Sequence, residues 1–246
     1  MRAWLITLLL LASNSASAAS DYAREQRWAE EVAPAIVVGD PVYLAQRNGH
    51  RFLGIYTIVP KAKMGVVVVH GLGVNPDWGL IAILRQRLPD FGYATLSVQM
   101  PVLAADAKAD AYVSTFPEAV ERLQLAVAFL KHQGYRRIAI ASHSTGSQMA
   151  RAYMATNPPE ICAWAALGMS TASEDVGAYQ GIKAPVLDLY AADDLPRVLA
   201  DAAARKVSLA GNALSAQVMI ANTDHFYARH EEDMVQAVSQ FLDRVR

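Results

Sequence analysis

The sequence has 246 residues, 53% of them hydrophobic and 18% charged, which is enough apolar material for one sizeable core and excludes a disordered, collagenous or low-complexity chain. Lys and Arg number 22 against 23 Asp and Glu, a net charge of -1. Without the basic excess that phosphate neutralisation demands, no nucleic-acid partner is expected.

The first residues read as an address. Met1 and Arg2 precede an apolar run from Ala3 to Ala12, and Ala16-Ser17-Ala18 fits a small-x-small cleavage pattern. The run is about half the roughly 20 residues that cross a bilayer, so a stable membrane span is not expected. Residues 1–18 are expected to be a cleaved signal peptide, and 19–246 one domain in the periplasm or outside the cell. The single cysteine, Cys162, excludes an internal disulfide and a Cys-based metal centre, and without a partner it suits an oxidising compartment.

Residues 21–40 predict a short helix and a loop. Val42–Gln46 and Phe52–Val59 flank Asn48-Gly49, a hairpin signal. Val66–Val69 is wholly apolar, as in a parallel strand buried on both faces. A helix is expected over Pro76–Phe91, a strand over Tyr93–Val98 and a loop over Gln99–Phe116. Val120, Leu123, Val127 and Leu130 then mark one helical face, which Gly134 ends. Strands at Arg137–Ala141, Ile161–Leu167, Val186–Ala191 and Gln217–Ala221 alternate with helices at Gly146–Thr156 and Pro196–Val207. A last helix carries Val235, Val238, Leu242 and Val245 on one face. The pattern predicts one α/β domain: a mostly parallel sheet with an N-terminal antiparallel hairpin and helices on both faces.

In such sheets reactive groups gather after the carboxyl ends of strands. His70-Gly71-Leu72-Gly73, Ser142-His143-Ser144-Thr145-Gly146, Ala192-Asp193-Asp194 and Asn222-Thr223-Asp224-His225 occupy those places. A serine, an acid and a histidine thus stand at three strand ends. A serine hydroxyl is a weak nucleophile until a base takes its proton. An imidazole suits that task, and a carboxylate on its far nitrogen fixes the tautomer.

These residues resemble the α/β-hydrolase fold, from about Val42 onward. Ser142–Gly146 looks like the nucleophile elbow, and the order Ser, Asp, His is that of the family. The segment from His70 through Pro76-Asp77-Trp78 to Ser97-Val98-Gln99-Met100-Pro101 is similar to a functionally unassigned branch of exported bacterial members. The resemblance implies Ser144 as nucleophile, Asp194 as acid and His225 as base, with Asp193 a rival for the acid. It implies the N–H groups of Leu72 and Thr145 as oxyanion donors. Three positions depart from the pattern: Ser142, Ala191 and Asp224 stand where glycine is usual.

The resemblance implies a serine hydrolase acting on an ester or related acyl bond of a small-molecule or lipid-like substrate. The alternative is a non-catalytic binding or envelope-assembly protein on the same fold. Met100, Tyr112 and Phe116 either line a substrate pocket or anchor their loop. Met169–Ala184 is too short for a large lid, so an open site walled by it and by Gln99–Phe116 is expected. His70 is expected to be structural, His143 to point away from the base, and His50, His132 and His230 to lie at the surface. Trp78 and Trp164 read as packing residues. Asp106 and Asp110 have no companion oxygen ligands at a recognisable spacing, and no phosphate-binding loop occurs, so neither metal nor cofactor is expected. Oligomeric state leaves no mark in the sequence.

Overall fold

Four consecutive valines show how the layers form. In the computed structural model, which describes residues 20–170 and 177–245, Val66–Val69 lie in β3 (Met64–Val69), each fully buried. Strand side chains alternate between faces. Val66 and Val68 pack with α2 (Gly79–Arg87) and α6 (Glu231–Arg244), and Val67 and Val69 with α3 (Phe116–His132) and α4 (Thr145–Met154). Each buried valine contributes about 1.5–3 kcal/mol by leaving water. Helices therefore cover both faces, as expected. The expected signal peptide lies outside the described residues.

The sheet runs β1-β2-β4-β3-β5-β6-β7-β8. β1 (Asp40–Ala45) and β2 (Arg51–Thr57) form the antiparallel hairpin, and β2 is antiparallel to β4 (Tyr93–Val98). From β4 through β3, β5 (Ile138–His143), β6 (Ile161–Leu167), β7 (Val186–Asp193) and β8 (Ala216–Asp224), every pairing is parallel. The chain leaves β3 toward β4 on one side and returns to β5 on the other. That makes the carboxyl ends of β3 and β5 a topological switch point, where such sheets open a crevice.

The helix expected over Pro76–Phe91 is α-helical only over Gly79–Arg87 and then tightens to a 3-10 turn, Leu88–Phe91. Pro89 has no N–H to give the Arg85 carbonyl, which accepts instead from the Thr95 hydroxyl at 2.8 Å. Gly92 closes the turn at a φ of 85°. The loop over Gln99–Phe116 holds another 3-10 segment, Ala109–Thr115. α5 (Pro196–Ser208) follows β7.

α1 (Tyr22–Val32) is fastened by charge. Arg122, fully buried, pairs with Glu25 at 2.9 Å and Glu118 at 2.6 Å. His50 is not a free surface group: its Nε2 meets Glu25 at 3.0 Å and its ring stacks on Tyr22 at 3.6 Å. His132 is exposed, whereas the partly covered His230 pairs with Asp233 at 2.8 Å. Arg24 donates to the carbonyls of Leu103 at 2.9 Å and Gly73 at 3.1 Å, tying α1 to both loops that leave β4 and β3.

Candidate active site

The elbow after β5 is held by its neighbours. Ser144 sits at φ 55° and ψ -127°, a sparsely populated conformation costing on the order of 1–3 kcal/mol. Its N–H donates to Leu167 O at 2.9 Å, and its carbonyl accepts from Ser147 N–H at 2.8 Å. Gly146 lets α4 pass the end of β3, for a Cβ there would lie 2.1 Å from the His70 carbonyl oxygen. The turn thus presents the Ser144 hydroxyl above the sheet.

Serine in place of glycine at 142 has a partner. The buried Ser142 Oγ accepts from Trp164 Nε1–H at 2.8 Å and lies 3.0 Å from Ser147 Oγ. Trp164 is fully buried, the packing residue expected of it.

His225 Nε2 lies 3.0 Å from Ser144 Oγ, and its Nδ1 lies 2.5 Å from Asp194 Oδ1. A carboxylate can only accept there, so Nδ1 carries the proton and Nε2 is free to accept from the serine. Asp194 also accepts from the N–H of Ala191 at 3.1 Å and of Leu195 at 2.8 Å. Burial pushes its carboxyl up, but the His225 bond and these N–H groups outweigh burial and hold it below the ordinary carboxylate value. Asp193, the rival acid, is exposed and one residue short of the imidazole.

The histidine loop is anchored from below. Fully buried Tyr227 donates its hydroxyl to Leu189 O at 3.0 Å, and Asp224 accepts from Phe226 N–H at 2.9 Å. Asp224, where glycine is usual, therefore caps this turn. Gly168, at φ 54°, leaves room for the imidazole, because a Cβ would lie 2.8 Å from His225 Cε1.

His143, expected to point away from the base, instead lies beside His225. Its ring centre is 4.6 Å from that of His225, and its Nε2 donates to the His225 carbonyl at 3.0 Å. Burial, helped by the neighbouring imidazole, pushes its pKa down to about 3, so it is neutral near pH 7. His70 is structural, as expected. Its Nε2 accepts from Met100 N–H at 2.8 Å, Nδ1 donates to Gly71 O at 2.8 Å, and burial pushes its pKa to about 4.

Leu72, after β3, lines the same cleft as Ser144, and Thr145 follows Ser144 in the chain. Thr145 opens α4, so its N–H is among those a helix leaves without an intrahelical partner. A Cβ on Gly71 would lie 3.1 Å from Ser144 Cβ, so the two turns touch.

The cleft beside Ser144 encloses about 290 Å³ and is walled by Leu72, Val74, Trp78, Leu195 and Phe226. Met100, Tyr112 and Phe116 are not on it, which corrects their assignment to substrate binding. Met100 and Tyr112 are buried in the core on the α3–α4 face, with Phe116 packed against it. The Tyr112 hydroxyl accepts from Leu103 N–H at 3.1 Å, so these residues fasten their loop. The walls expected from Gln99–Phe116 are supplied by the turn after β3 and the residues following Asp194 and His225. Of the other expected wall, Met169–Ala184, residues 171–176 lie outside the described residues. Trp78 is a rim residue, 39% exposed, its ring 5.5 Å from that of Phe226. A larger hollow of about 750 Å³ lies where β7 and β8 begin, beside Val186 and Ser215, and holds none of Ser144, Asp194 and His225.

Leu72 stands in the turn after β3, and Leu195 and Phe226 directly follow Asp194 and His225, a signal the sequence carried. Trp78 had none. Among the described residues, no cluster of three His, Cys, Asp or Glu side chains could hold a metal ion, and no helix is long and apolar enough to cross a membrane.

Comparison with known proteins fixes the fold. Est1E from Butyrivibrio proteoclasticus superposes with a TM-score of 0.66 at 16% identity, over 83% of this chain and 98% of its own. A dienelactone hydrolase from Anabaena variabilis gives 0.65 at 21% identity, over 84% and 99%. The esterase Pf2001 of Pyrococcus furiosus gives 0.67 at 14% identity, over 84% and 92%. The structures matched are α/β hydrolases. This chain has the α/β-hydrolase fold. Residues 42–121 also match a family described as proteins of unknown function, DUF3530. No curated protein matches the sequence.

Proposed function

We propose that this α/β-hydrolase-fold protein is an exported serine hydrolase that cleaves an ester or related acyl bond through an acyl-enzyme. The observation that carries the reading is the 3.0 Å approach of His225 Nε2 to Ser144 Oγ with Asp194 on the opposite ring nitrogen. The esterase names of its structural neighbours are compatible with it. The apolar run and small-residue pattern of residues 1–18 support export.

In this reading Ser144 Oγ bonds to the substrate carbonyl carbon as its proton passes to His225 Nε2. The carbonyl oxygen becomes an oxyanion and takes hydrogen bonds from Leu72 N–H and Thr145 N–H, each such donor contributing about 3–4 kcal/mol to the transition state. Asp194 stabilises the imidazolium. The tetrahedral species expels the alcohol, which takes the proton from Nε2, and leaves Ser144 acylated. A water, deprotonated by His225, then attacks the acyl carbon. Collapse releases the acid and returns the proton to Ser144.

Hydrolysis of short p-nitrophenyl esters by the mature protein tests this. The Ser144→Ala variant is expected to retain its fold and lose at least about a thousandfold in kcat. Full turnover by that variant would remove Ser144 from the reaction. A well-folded wild type without esterase activity would favour the binding-protein alternative.

A further inference from the structure

The walls of the cleft are as specific as the groups that would react in it. Leu72, Trp78, Leu195 and Phe226 are 39%, 39%, 49% and 48% exposed, although each is a large apolar side chain. Large hydrophobic side chains gathered at one opening mark a binding surface rather than ordinary scatter. The rings of Trp78, Phe226 and His225 form a ledge. Trp78 meets Phe226 edge-to-face at 5.5 Å, and Phe226 meets His225 edge-to-face at 5.3 Å, so apolar wall runs from the rim to the reactive imidazole.

The turn carrying Trp78 is fixed. Ser97 Oγ donates to Pro76 O at 2.7 Å, and Arg85 Nε donates to Asp77 Oδ1 at 2.7 Å. The wall is preformed, which spares a ligand the cost of ordering it.

Charge is as informative as shape. Among the described residues, no Lys, Arg, Asp or Glu lines this cleft. Beside it, Asp193 and Asp224 pair in register across β7 and β8, and both are exposed. A carboxylate in the cleft would lose water and find no Lys or Arg among the described lining residues to pair with. The volume, about 290 Å³, equals about ten waters at roughly 30 Å³ each, room for a group on the order of ten non-hydrogen atoms.

We propose that the cleft selects an uncharged, apolar acyl group of modest size, seated against Trp78 and Phe226, and rejects acyl groups that bear a carboxylate. This selectivity rests on the hydrolase reading above, since it assigns the cleft to the acyl half of an ester.

Two p-nitrophenyl esters with four-carbon acyl groups, the butyrate and the hemisuccinate, differ by one terminal carboxylate and share a leaving group. The wild type is expected to favour the butyrate at least about thirtyfold in kcat/KM. Trp78→Ala and Phe226→Leu are each expected to shrink that ratio about tenfold. Equal kcat/KM for the two esters, or an unchanged ratio in both variants, would overturn the proposal while leaving the hydrolase reading intact. Absence of turnover on both esters would instead sink that reading. The cleft is then tested without chemistry, by tryptophan fluorescence titration of Ser144→Ala protein with benzamide and with benzoate. Benzamide is expected to bind at least about tenfold more tightly, with Phe226→Leu removing the difference. Equal affinity would overturn the selectivity.

Discussion

His143 Nε2 donates to the carbonyl oxygen of His225 at 3.0 Å, so the residue before the candidate nucleophile holds the backbone of the candidate base. The two histidines otherwise have different fates. His225 has Ser144 on one nitrogen and Asp194 on the other, whereas buried His143 is kept neutral and acts as a fixed donor.

In the proposed reaction His143 is therefore a positioning residue. Replacing it with leucine removes one buried hydrogen bond, worth about 1–3 kcal/mol. The expected result is a kcat lower by about 10- to 100-fold with KM within about threefold. His143→Gln restores a donor and is expected to recover part of the loss. A lower melting temperature with unchanged kcat would mean that the contact serves stability alone.

Asp194 and Asp193 are separable by one substitution each. Asp194→Asn keeps the shape but lets the imidazole adopt the wrong tautomer, so kcat is expected to drop about 10³- to 10⁴-fold. Asp193→Asn, at an exposed position, is expected to change it less than about threefold. Steady-state ester hydrolysis compares them, and the reverse ranking would exchange their roles.

Acid stability follows from the buried imidazoles. His70 and His143 are held at about 4 and about 3, below the ordinary 6.5, by burial. As pH falls through 6.5 the unfolded chain binds protons that the folded chain refuses. Stability is thus complete above about 6.5 and declines as pH falls toward 4, by about 3 kcal/mol from His70 alone. Asp194 and Glu118 are held below their ordinary carboxylate values, so the stability they contribute is lost only as pH falls through and below that range. Urea unfolding at pH 7, 5.5 and 4.5 reads the effect, and His70→Asn is expected to flatten it. Equal unfolding midpoints at these pH values would contradict it.

Ser142 supplies a test of the unusual elbow. Restoring the usual glycine removes the oxygen that accepts the Trp164 indole N–H. An unpaired buried donor costs about 1–3 kcal/mol, and glycine in a strand adds to that. Ser142→Gly is expected to lower the urea midpoint. Unchanged or raised stability would show that the hydroxyl is dispensable.

The sheet was legible because its strands repeat one physical pattern. Tyr93–Val98 and Ile161–Leu167 coincide with the strands read from sequence, being apolar runs bounded by turn residues. β8 extends to Asp224, beyond the expected Ala221, because its last residues, Asn222, Thr223 and Asp224, are polar and carry no apolar signal. Ser144, Asp194 and His225 were legible as candidates because each directly follows a strand. Trp78 was not: its exposure depends on Phe226, 148 positions away, meeting it across the cleft. Met100 and Tyr112 failed as pocket residues for the converse reason. Their apolar character is spent in the core under α3, and sequence alone cannot tell a buried face from a cleft wall. The pairing of Arg122 with Glu25 was equally hidden, since charged residues ordinarily read as surface.

Reaction of the purified mature protein with a fluorophosphonate, followed by intact mass and peptide mapping, probes the serine itself, independent of the choice of ester. A single adduct on Ser144, absent from Ser144→Ala and formed at least a hundredfold more slowly in His225→Ala, is the expected result. A folded protein that forms no adduct, or one that forms it equally fast without the imidazole, would contradict an activated serine at this site.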